Sequence, residues 1–465
     1  MNFAGLIYIL VAHYLAGKGL LKLFGVQLKP VPFFCLCMIA GVPLLSFAPC
    51  FVQLLHLPVD TIPVFIAVTV ITAAFSIPLW RNFKRPQLPK IVFPALYEWP
   101  YLIVCLWFTI FSVWRCFYYP PYSRDMLAGP ELLAEFAVRE KTMISSVFTV
   151  DLSTSNNYFK SPFITGLQII YKLLVCPFGQ LWLSVLFVCF IVWLYNMLRN
   201  RLHPILASLL LLIFFAMPEL FAYTFLMLYD YSNMIFFFLG FYFLIRYLEN
   251  KKLNEFAFSA FLFGLATYIR TETLILITLI LPLLLFYFYR WKLPVKSMAY
   301  NFGIFLLVPI AFYIINIQVF IRFFIPIPFD LSQNINPDLG NISAIFRRLQ
   351  DINTQLIFTY KGIALYGYFV FLFCAVFITD LIWLRRFNLE SRIALYAIMV
   401  VYFGLGIIGY LLPLADLQNT TKRGLFKALP LMLLYMANSG VLLRFSAFIK
   451  DWEYAKPVQK VQKRK

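Results

Sequence analysis

Charged residues are scarce in this chain of 465 residues, where Asp, Glu, Lys and Arg together make up 13%. Soluble proteins carry about 25% charged residues. Hydrophobic residues make up 62%, and the mean hydropathy is +0.83. A soluble protein of this size could not bury so much apolar surface, so the composition indicates an integral membrane protein. It also excludes a disordered chain, a nucleic-acid-binding module and a disulfide-built secreted domain.

Histidine and paired cysteine motifs are also nearly missing. The three histidines are His13, His56 and His203, and nearly all of the eight cysteines lie in apolar runs. Cys35 and Cys37 form C-x-C with no nearby His, so we expect neither a zinc site nor a disulfide framework. No Lys or Arg precedes the first apolar run and no small-residue cleavage site follows it, which predicts a retained helix and not a cleaved signal.

Acidic residues are outnumbered by basic ones, 20 against 39, which gives a net charge of +19. In a membrane protein this excess is expected in short cytoplasmic loops, so it does not indicate nucleic acid as a partner. A spanning helix needs about 20 apolar residues. Thirteen runs qualify: 4–24, 31–54, 60–80, 97–117, 178–199, 203–222, 227–247, 254–270, 272–289, 299–325, 361–386, 392–413 and 425–449.

Threading these thirteen runs through a membrane places all the basic loops on one side, which must be the cytoplasm. These loops are 81–90, 199–201, 246–252, 290–296, 385–392 and 450–465. The segment 163–176 is too short to span and is predicted to be interfacial or re-entrant. We therefore predict an all-α polytopic membrane protein with no soluble domain. Its parts are three extra N-terminal helices (1–93), a transmembrane module (94–449) and a basic cytoplasmic tail (450–465).

The predicted outer side carries two long loops, here called the first loop (118–177) and the second loop (326–360). In the first loop, apolar residues recur at helical spacing from Asp125 to Glu140, which predicts one short amphipathic helix on the outer leaflet. Asp125 at its start could be a helix cap or a functional carboxylate. The second loop is polar and contains prolines. It could close over a substrate or serve as a solvated connector.

The first loop resembles that of the C-type glycosyltransferases. The closest pattern is that of lipid A aminoarabinose transferases and protein mannosyltransferases, roughly D-E-x-x-Y-x-x-x-A…Y-F-x-K-P-P. Asp125 matches the first acid, and Tyr158, Phe159, Lys160 and Pro162 match the second part. Met126 stands where relatives often have Glu, and Ser161 stands where they have Pro. Because the second acid is missing, dependence on a divalent cation such as Mg or Mn is left open.

Three further segments resemble this family, and the resemblance runs from about residue 97 to the end. Leu228–Asn233 carries an acid, Asp230, at the outer start of a helix. Tyr268–Glu272 contains R-x-E between two helices, and Arg423–Pro430 matches R-x-x-x-x-x-x-P at the opening of a late helix. The resemblance therefore implies a site assembled at the outer ends of several helices.

The resemblance implies an inverting transferase that moves a sugar from a polyprenyl-phosphate carrier to a hydroxyl of a lipid, polysaccharide or protein. Asp125 would be the general base. Lys160, Arg270 and Arg423 would bind the phosphate or pyrophosphate. Sugar hydroxyls or a cation would be bound by Asp230, Glu219, Glu272 and Tyr158. The expected location is a bacterial cytoplasmic (inner) membrane, with membrane lipids around the protein and the active site facing the periplasm.

Simpler structural roles and two other functions stay open. Arg270 and Glu272 could only pair with each other at the interface, and Lys160 could only reach lipid headgroups. An O-antigen ligase or polymerase would use Arg347 and Arg348 against a lipid pyrophosphate. A lipid-linked sugar flippase or transporter would be expected to show internal repeats, and we find none.

Overall fold

The computed structural model describes residues 2–80, 93–155, 160–176, 179–322, 342–384, 387–412 and 416–462. Over these residues the chain is helical throughout, without a strand and without a separate soluble domain. It is an all-α polytopic membrane protein, as the composition predicts. Tyr158, Phe159 and the predicted loop residues 326–341 lie outside the described part of the chain.

Each of the thirteen apolar runs forms helix. Nine helices in the described residues are long and apolar enough to cross a membrane: Phe3–Leu23, Pro30–Leu54, Thr61–Leu79, Leu96–Tyr118, Leu181–Arg199, Tyr229–Asn250, Thr273–Arg290, Val295–Ile314 and Leu389–Leu411. Two bent pairs raise the count to eleven: Tyr360–Tyr366 with Phe369–Leu384, bent by 99°, and Leu417–Ala437 with Gly440–Glu453, bent by 49°. The remaining two runs, 203–222 and 254–270, form the shorter helices Pro204–Phe215 and Leu253–Ile269.

Contacts between the loops that connect the helices agree with the predicted threading. Lys29 Nζ donates to Asn200 Oδ1 at 2.6 Å, and Arg201 pairs with Glu390 at 2.7 Å. Arg246 pairs with Glu255 at 2.6 Å. These residues belong to, or lie beside, the loops that the excess of Lys and Arg assigns to a single side. The structure therefore brings the basic loops 199–201, 246–252 and 385–392 together at one end of the bundle.

The predicted amphipathic helix over Asp125–Glu140 is wrong in one respect, because the structure contains two helices there. Arg124–Leu127 and Pro130–Glu140 are separated at Gly129, whose φ and ψ are −123° and −123°. Proline disfavours helical backbone at the residue before it and cannot donate an N–H to the preceding turn. The chain therefore turns at Gly129, and Asp125 lies on a segment that is oriented independently of Pro130–Glu140.

Phe163–Leu174 is a helix of 12 residues, which is too short to span, as predicted. Nearly all of its residues are buried, and it packs against Pro130–Glu140 and the neighbouring long helices. Lys172 on this helix pairs with Glu131 at 2.5 Å and with Glu135 at 3.0 Å. These contacts anchor the first loop on the transmembrane bundle.

The N-terminal helices (Phe3–Leu23, Pro30–Leu54 and Thr61–Leu79) are built into the bundle. Pro30–Leu54 is mostly buried, whereas Thr61–Leu79 is exposed along most of its length. The first two helices touch through glycine: a Cβ on Gly17 would lie 1.8 Å from the Cys37 oxygen, and one on Gly41 would lie 1.9 Å from the His13 oxygen. Only residues without a side chain permit this approach.

The described end of the second loop is helical, in contrast to the polar connector or lid expected over its whole length. Ile342–Asp351 packs on Leu389–Leu411, and a further helical turn covers Ile352–Ile357. Its apolar residues lie at helical spacing and bury one face. The amphipathic pattern therefore outweighs the polar composition in this segment.

Candidate functional site

Asp125 pairs with a residue from the far end of the chain. Its Oδ2 accepts a hydrogen bond from Arg423 Nη2 at 2.6 Å, across a separation of 298 residues. The cap position of the short helix Arg124–Leu127 is occupied by Ser123, so Asp125 is not the capping residue. The side chain of Asp125 is 45% exposed and that of Arg423 is 20% exposed. An incoming acceptor could therefore reach the carboxylate from solvent.

Asp230 and Glu272 share Arg270. The guanidinium of Arg270 forms ion pairs with both carboxylates, through Nη1 to Asp230 and through Nε to Glu272. Arg270 lies in extended backbone between Leu253–Ile269 and the helix that begins at Thr273. Burial opposes the charged form of Arg270, but attraction to the two carboxylates is stronger and raises its pKa. The pairing of Arg270 with Glu272 is thus confirmed, and it includes Asp230 as well.

Lys160 lies beside this group. Its Nζ is 5.5 Å from the centre of the Tyr229 ring, and the Tyr229 hydroxyl donates to the Ser161 carbonyl at 2.9 Å. Burial and the positive charge of Arg270 lower the pKa of Lys160 to about 8, while Asp230 and Glu272 oppose this effect. The structure therefore holds Lys160 largely inside the protein, within electrostatic range of Arg270.

Lys427 belongs to the same group, although sequence reasoning gave it no role. It is 2% exposed and lies within electrostatic range of Arg270, Glu272 and Asp230. A signal was present, because Arg423 and Lys427 are four residues apart and such residues share one face of a helix. We call the assembled set the charged cluster: Asp125, Lys160, Asp230, Arg270, Glu272, Arg423 and Lys427.

Three other predicted residues fall outside the charged cluster. Glu219 pairs with Lys422 at 2.5 Å, at the edge of the site beside Tyr223. Arg347 is exposed, and Arg348 donates to Thr421 at 2.8 Å, two residues before Arg423. Tyr158 lies outside the described residues, so its assignment stays a prediction.

The described residues contain no group of three His, Cys, Asp or Glu side chains that could hold a metal ion. Within the charged cluster, Asp230 and Glu272 are bridged by Arg270, so a cationic side chain already lies between these two carboxylates. A divalent cation would have to displace this guanidinium. As it stands, the arrangement does not fit a protein-held metal, and we assign no step to one.

The N-terminal helices contact two of the segments that form the site. Gln53 Oε1 accepts hydrogen bonds from Met143 N at 2.7 Å and from Thr142 Oγ1 at 3.0 Å. The Phe47 ring stacks on Tyr268, with centroids 4.7 Å apart, two residues before Arg270. These helices therefore help to position both the first loop and the Tyr268–Glu272 segment.

The charged cluster combines four cations with three carboxylates. Two of its members, Asp230 and Lys427, are almost fully buried, which is costly unless each charge is compensated. The surplus of one positive charge fits an anionic ligand, and phosphate is the ligand that clustered Arg and Lys side chains bind well. Next to them, Asp125 supplies an accessible carboxylate that can accept a proton.

Residues 175–315 match the family model described as dolichyl-phosphate-mannose-protein mannosyltransferase. Searches of curated proteins and of solved structures found no match. The matched segment contains Asp230, Arg270 and Glu272, and it confirms the resemblance to C-type glycosyltransferases there. It supports a membrane-embedded glycosyltransferase that uses a polyprenyl-phosphate sugar. Asp125, Lys160, Arg423 and Lys427 lie outside the matched segment.

Proposed function

We propose that the protein is an inverting glycosyltransferase that moves a sugar from a polyprenyl-phosphate carrier to the hydroxyl of a lipid, polysaccharide or protein. The observation that carries this proposal is the assembly of the charged cluster from distant parts of the chain. It joins an accessible carboxylate, Asp125, to buried cations through Arg423. A base and an anion site side by side are what a phosphate-leaving sugar transfer requires.

In the proposed reaction, the acceptor hydroxyl attacks the anomeric carbon while Asp125 takes its proton. The bond between this carbon and the phosphate oxygen breaks, and the phosphate leaves with the electron pair. Lys160, Arg270 and Arg423 stabilise the negative charge that develops on the phosphate. Asp230 and Glu272 hold Arg270 in place, and they can also accept hydrogen bonds from sugar hydroxyls. A single displacement inverts the configuration, in contrast to the two carboxylates that glycosidases use.

The predicted threading puts the site on the outer face of the cytoplasmic membrane. The basic loops 199–201, 246–252 and 385–392 lie together at one end of the bundle, and Lys141 of the first loop, which carries Asp125, pairs with Asp60 after the second N-terminal helix. By the positive-inside rule the basic end faces the cytoplasm. A donor carried on a membrane lipid and an acceptor in the periplasm would both reach a site at the opposite end.

The test is a transfer assay in detergent with radiolabelled polyprenyl-phosphate sugars and a membrane-lipid extract as acceptor, with and without EDTA. Asp125→Asn should lower turnover by about 10²–10⁴-fold, which is the usual contribution of a general base. Asp151→Asn is the matched control, since Asp151 is exposed in the same loop and its carboxylate accepts a hydrogen bond from the neighbouring Ser153 N–H. Its turnover should equal that of the wild type.

Two results would contradict the proposal. Full activity of Asp125→Asn would show that this carboxylate is not the base. Absence of transfer from every monophosphate donor, together with transfer from a lipid-pyrophosphate glycan that is lost in Arg348→Gln, would favour the ligase-like reaction.

A further inference from the structure

Lys427 is a buried cation without a carboxylate of its own. It is 2% exposed, and in the described part of the chain no Asp or Glu oxygen lies within 4.0 Å of its Nζ. The neighbouring carboxylates are already engaged: Asp230 and Glu272 pair with Arg270, and Asp125 pairs with Arg423. An uncompensated buried ammonium is costly. Its presence indicates a ligand that supplies the missing negative charge.

The position of Lys427 identifies the class of that ligand. Lys427 lies on the turn Leu425–Ala428, which packs against the helix that begins at Tyr229. It is therefore close to Asp230, Arg270 and Glu272, but it forms no ion pair with either carboxylate. A carboxylate-free ammonium beside a guanidinium suits a tetrahedral oxyanion with several acceptor oxygens, and phosphate is of this class.

We propose that Lys427 binds the leaving phosphate of the lipid donor and that its contribution increases as the bond to the sugar breaks. This inference rests on the proposed function. The intact donor is a phosphodiester with one negative charge. When the carbon–oxygen bond breaks, the electron pair moves to the phosphate, and the acceptor's proton goes to Asp125. The leaving monoester therefore gains a second negative charge.

Lys427 and Arg270 differ in whether a carboxylate of the protein forms an ion pair with them. Two carboxylates already pair with Arg270 before the donor arrives, whereas Lys427 is attracted by Asp230 and Glu272 only at longer range and forms no ion pair in the described part of the chain. An interaction that strengthens in the transition state raises kcat, while one that is equal in both states lowers KM only. Lys427 should therefore affect kcat and the affinity for the monoester product more than the affinity for the diester donor.

The experiment compares Lys427→Met and Lys427→Arg with the wild type in the full chain. Lys427→Met should lower kcat by about 10²-fold, with the KM for the donor changed less than about threefold. Its affinity for decaprenyl phosphate, measured by tryptophan fluorescence, should fall at least about tenfold, and more than the affinity for a methyl diester of the same lipid. Lys427→Arg keeps the charge and should recover part of both. Lys361→Met is the matched control, because Lys361 is exposed and bonds to Gln418.

Thermal stability separates a binding role from a structural one. Replacing a buried cation that has no carboxylate partner with an apolar side chain of similar length should leave the ligand-free protein as stable as the wild type or more stable. A clear loss of thermal stability in Lys427→Met would show a structural role and overturn the proposal. So would wild-type kcat together with wild-type affinity for decaprenyl phosphate.

The phosphate-binding measurement is independent of transfer. If the wild type transfers sugar and Lys427→Met is unchanged, the inference about Lys427 fails while the proposed function stands. If the wild type transfers no sugar but binds decaprenyl phosphate through Lys427, the proposed function fails while the anion site stands.

Discussion

Gln53 offers a direct test of whether the N-terminal helices hold the first loop in place. Its Oε1 accepts two hydrogen bonds from the loop, from Met143 N and Thr142 Oγ1. Gln53→Leu removes both and leaves the Met143 N–H without this acceptor. At about 1 kcal/mol for each hydrogen bond, the docked loop should lose about 2 kcal/mol, which corresponds to about a thirtyfold shift toward the open form.

Trypsin cleavage after Lys141 measures this opening. When reclosing is faster than cleavage, the rate of cleavage follows the equilibrium population of the open form. In detergent, the fragment that begins at Thr142 should therefore appear about thirtyfold faster in Gln53→Leu than in the wild type. Cleavage after Lys361, which lies far along the chain in an exposed position, should be unchanged.

Asp60→Asn is the matched control for Gln53→Leu. Asp60 also contacts the loop, through an ion pair with Lys141 at 2.7 Å, but both side chains are exposed, at 41% and 59%. Exposed ion pairs contribute about 0–1 kcal/mol, so cleavage should accelerate less than about fivefold. Equal rates in the wild type and Gln53→Leu would refute the claim that these helices position the loop.

Two further predictions concern the charged cluster and its support. Burial, and then repulsion by Arg270, lower the pKa of Lys160 to about 8 in the ligand-free protein, while Asp230 and Glu272 attract it. A rise in pH through this value removes its charge, so affinity for a lipid phosphodiester should fall about tenfold from pH 7 to pH 9. Lys160→Arg should flatten this profile, and an identical slope in that variant would assign the titration to another group. Lys172→Met should cost about 3 kcal/mol in a thermal-stability assay, because Glu131, whose side chain is 12% exposed, loses its ion-pair partner and keeps only the hydrogen bond from Gln168. Adding Glu131→Gln should restore part of this loss, and no recovery would mean that Lys172 acts through packing alone.

Residues that are close in sequence were predicted well. Arg270 and Glu272 were expected between two helices, and the structure places them there, because apolar runs and their breaks are local features. The break at Gly129 was visible in the sequence, since Pro130 follows it, but the helical spacing of apolar residues on both sides suggested one helix. Local rules therefore succeed where one signal dominates and fail where two signals compete.

Apart from the pair of Arg270 and Glu272, the partners of the charged residues in the site could not be read from the sequence. Asp125 and Arg423 were both assigned to the site, but the ion pair between them joins residues that are 298 positions apart. Lys427 stood inside a recognised motif, and only its burial beside Arg270 and Asp230 shows that it belongs to the site. Burial and electrostatic neighbours depend on how helices pack, and a single sequence contains little information on that packing.

Composition by itself determined that this protein is embedded in a membrane and helical, because apolar surface on this scale requires lipid and only helices satisfy their backbone within one segment. The excess of basic loops likewise predicts how the helices are threaded. The tertiary structure decided which charges meet. It brought the N-terminal helices into contact with the first loop and paired Asp125 with Arg423. It also buried Lys427 beside Arg270 without an ion pair in the described part of the chain. The physical reason is that helix packing brings together side chains from segments that have no local relation in the chain.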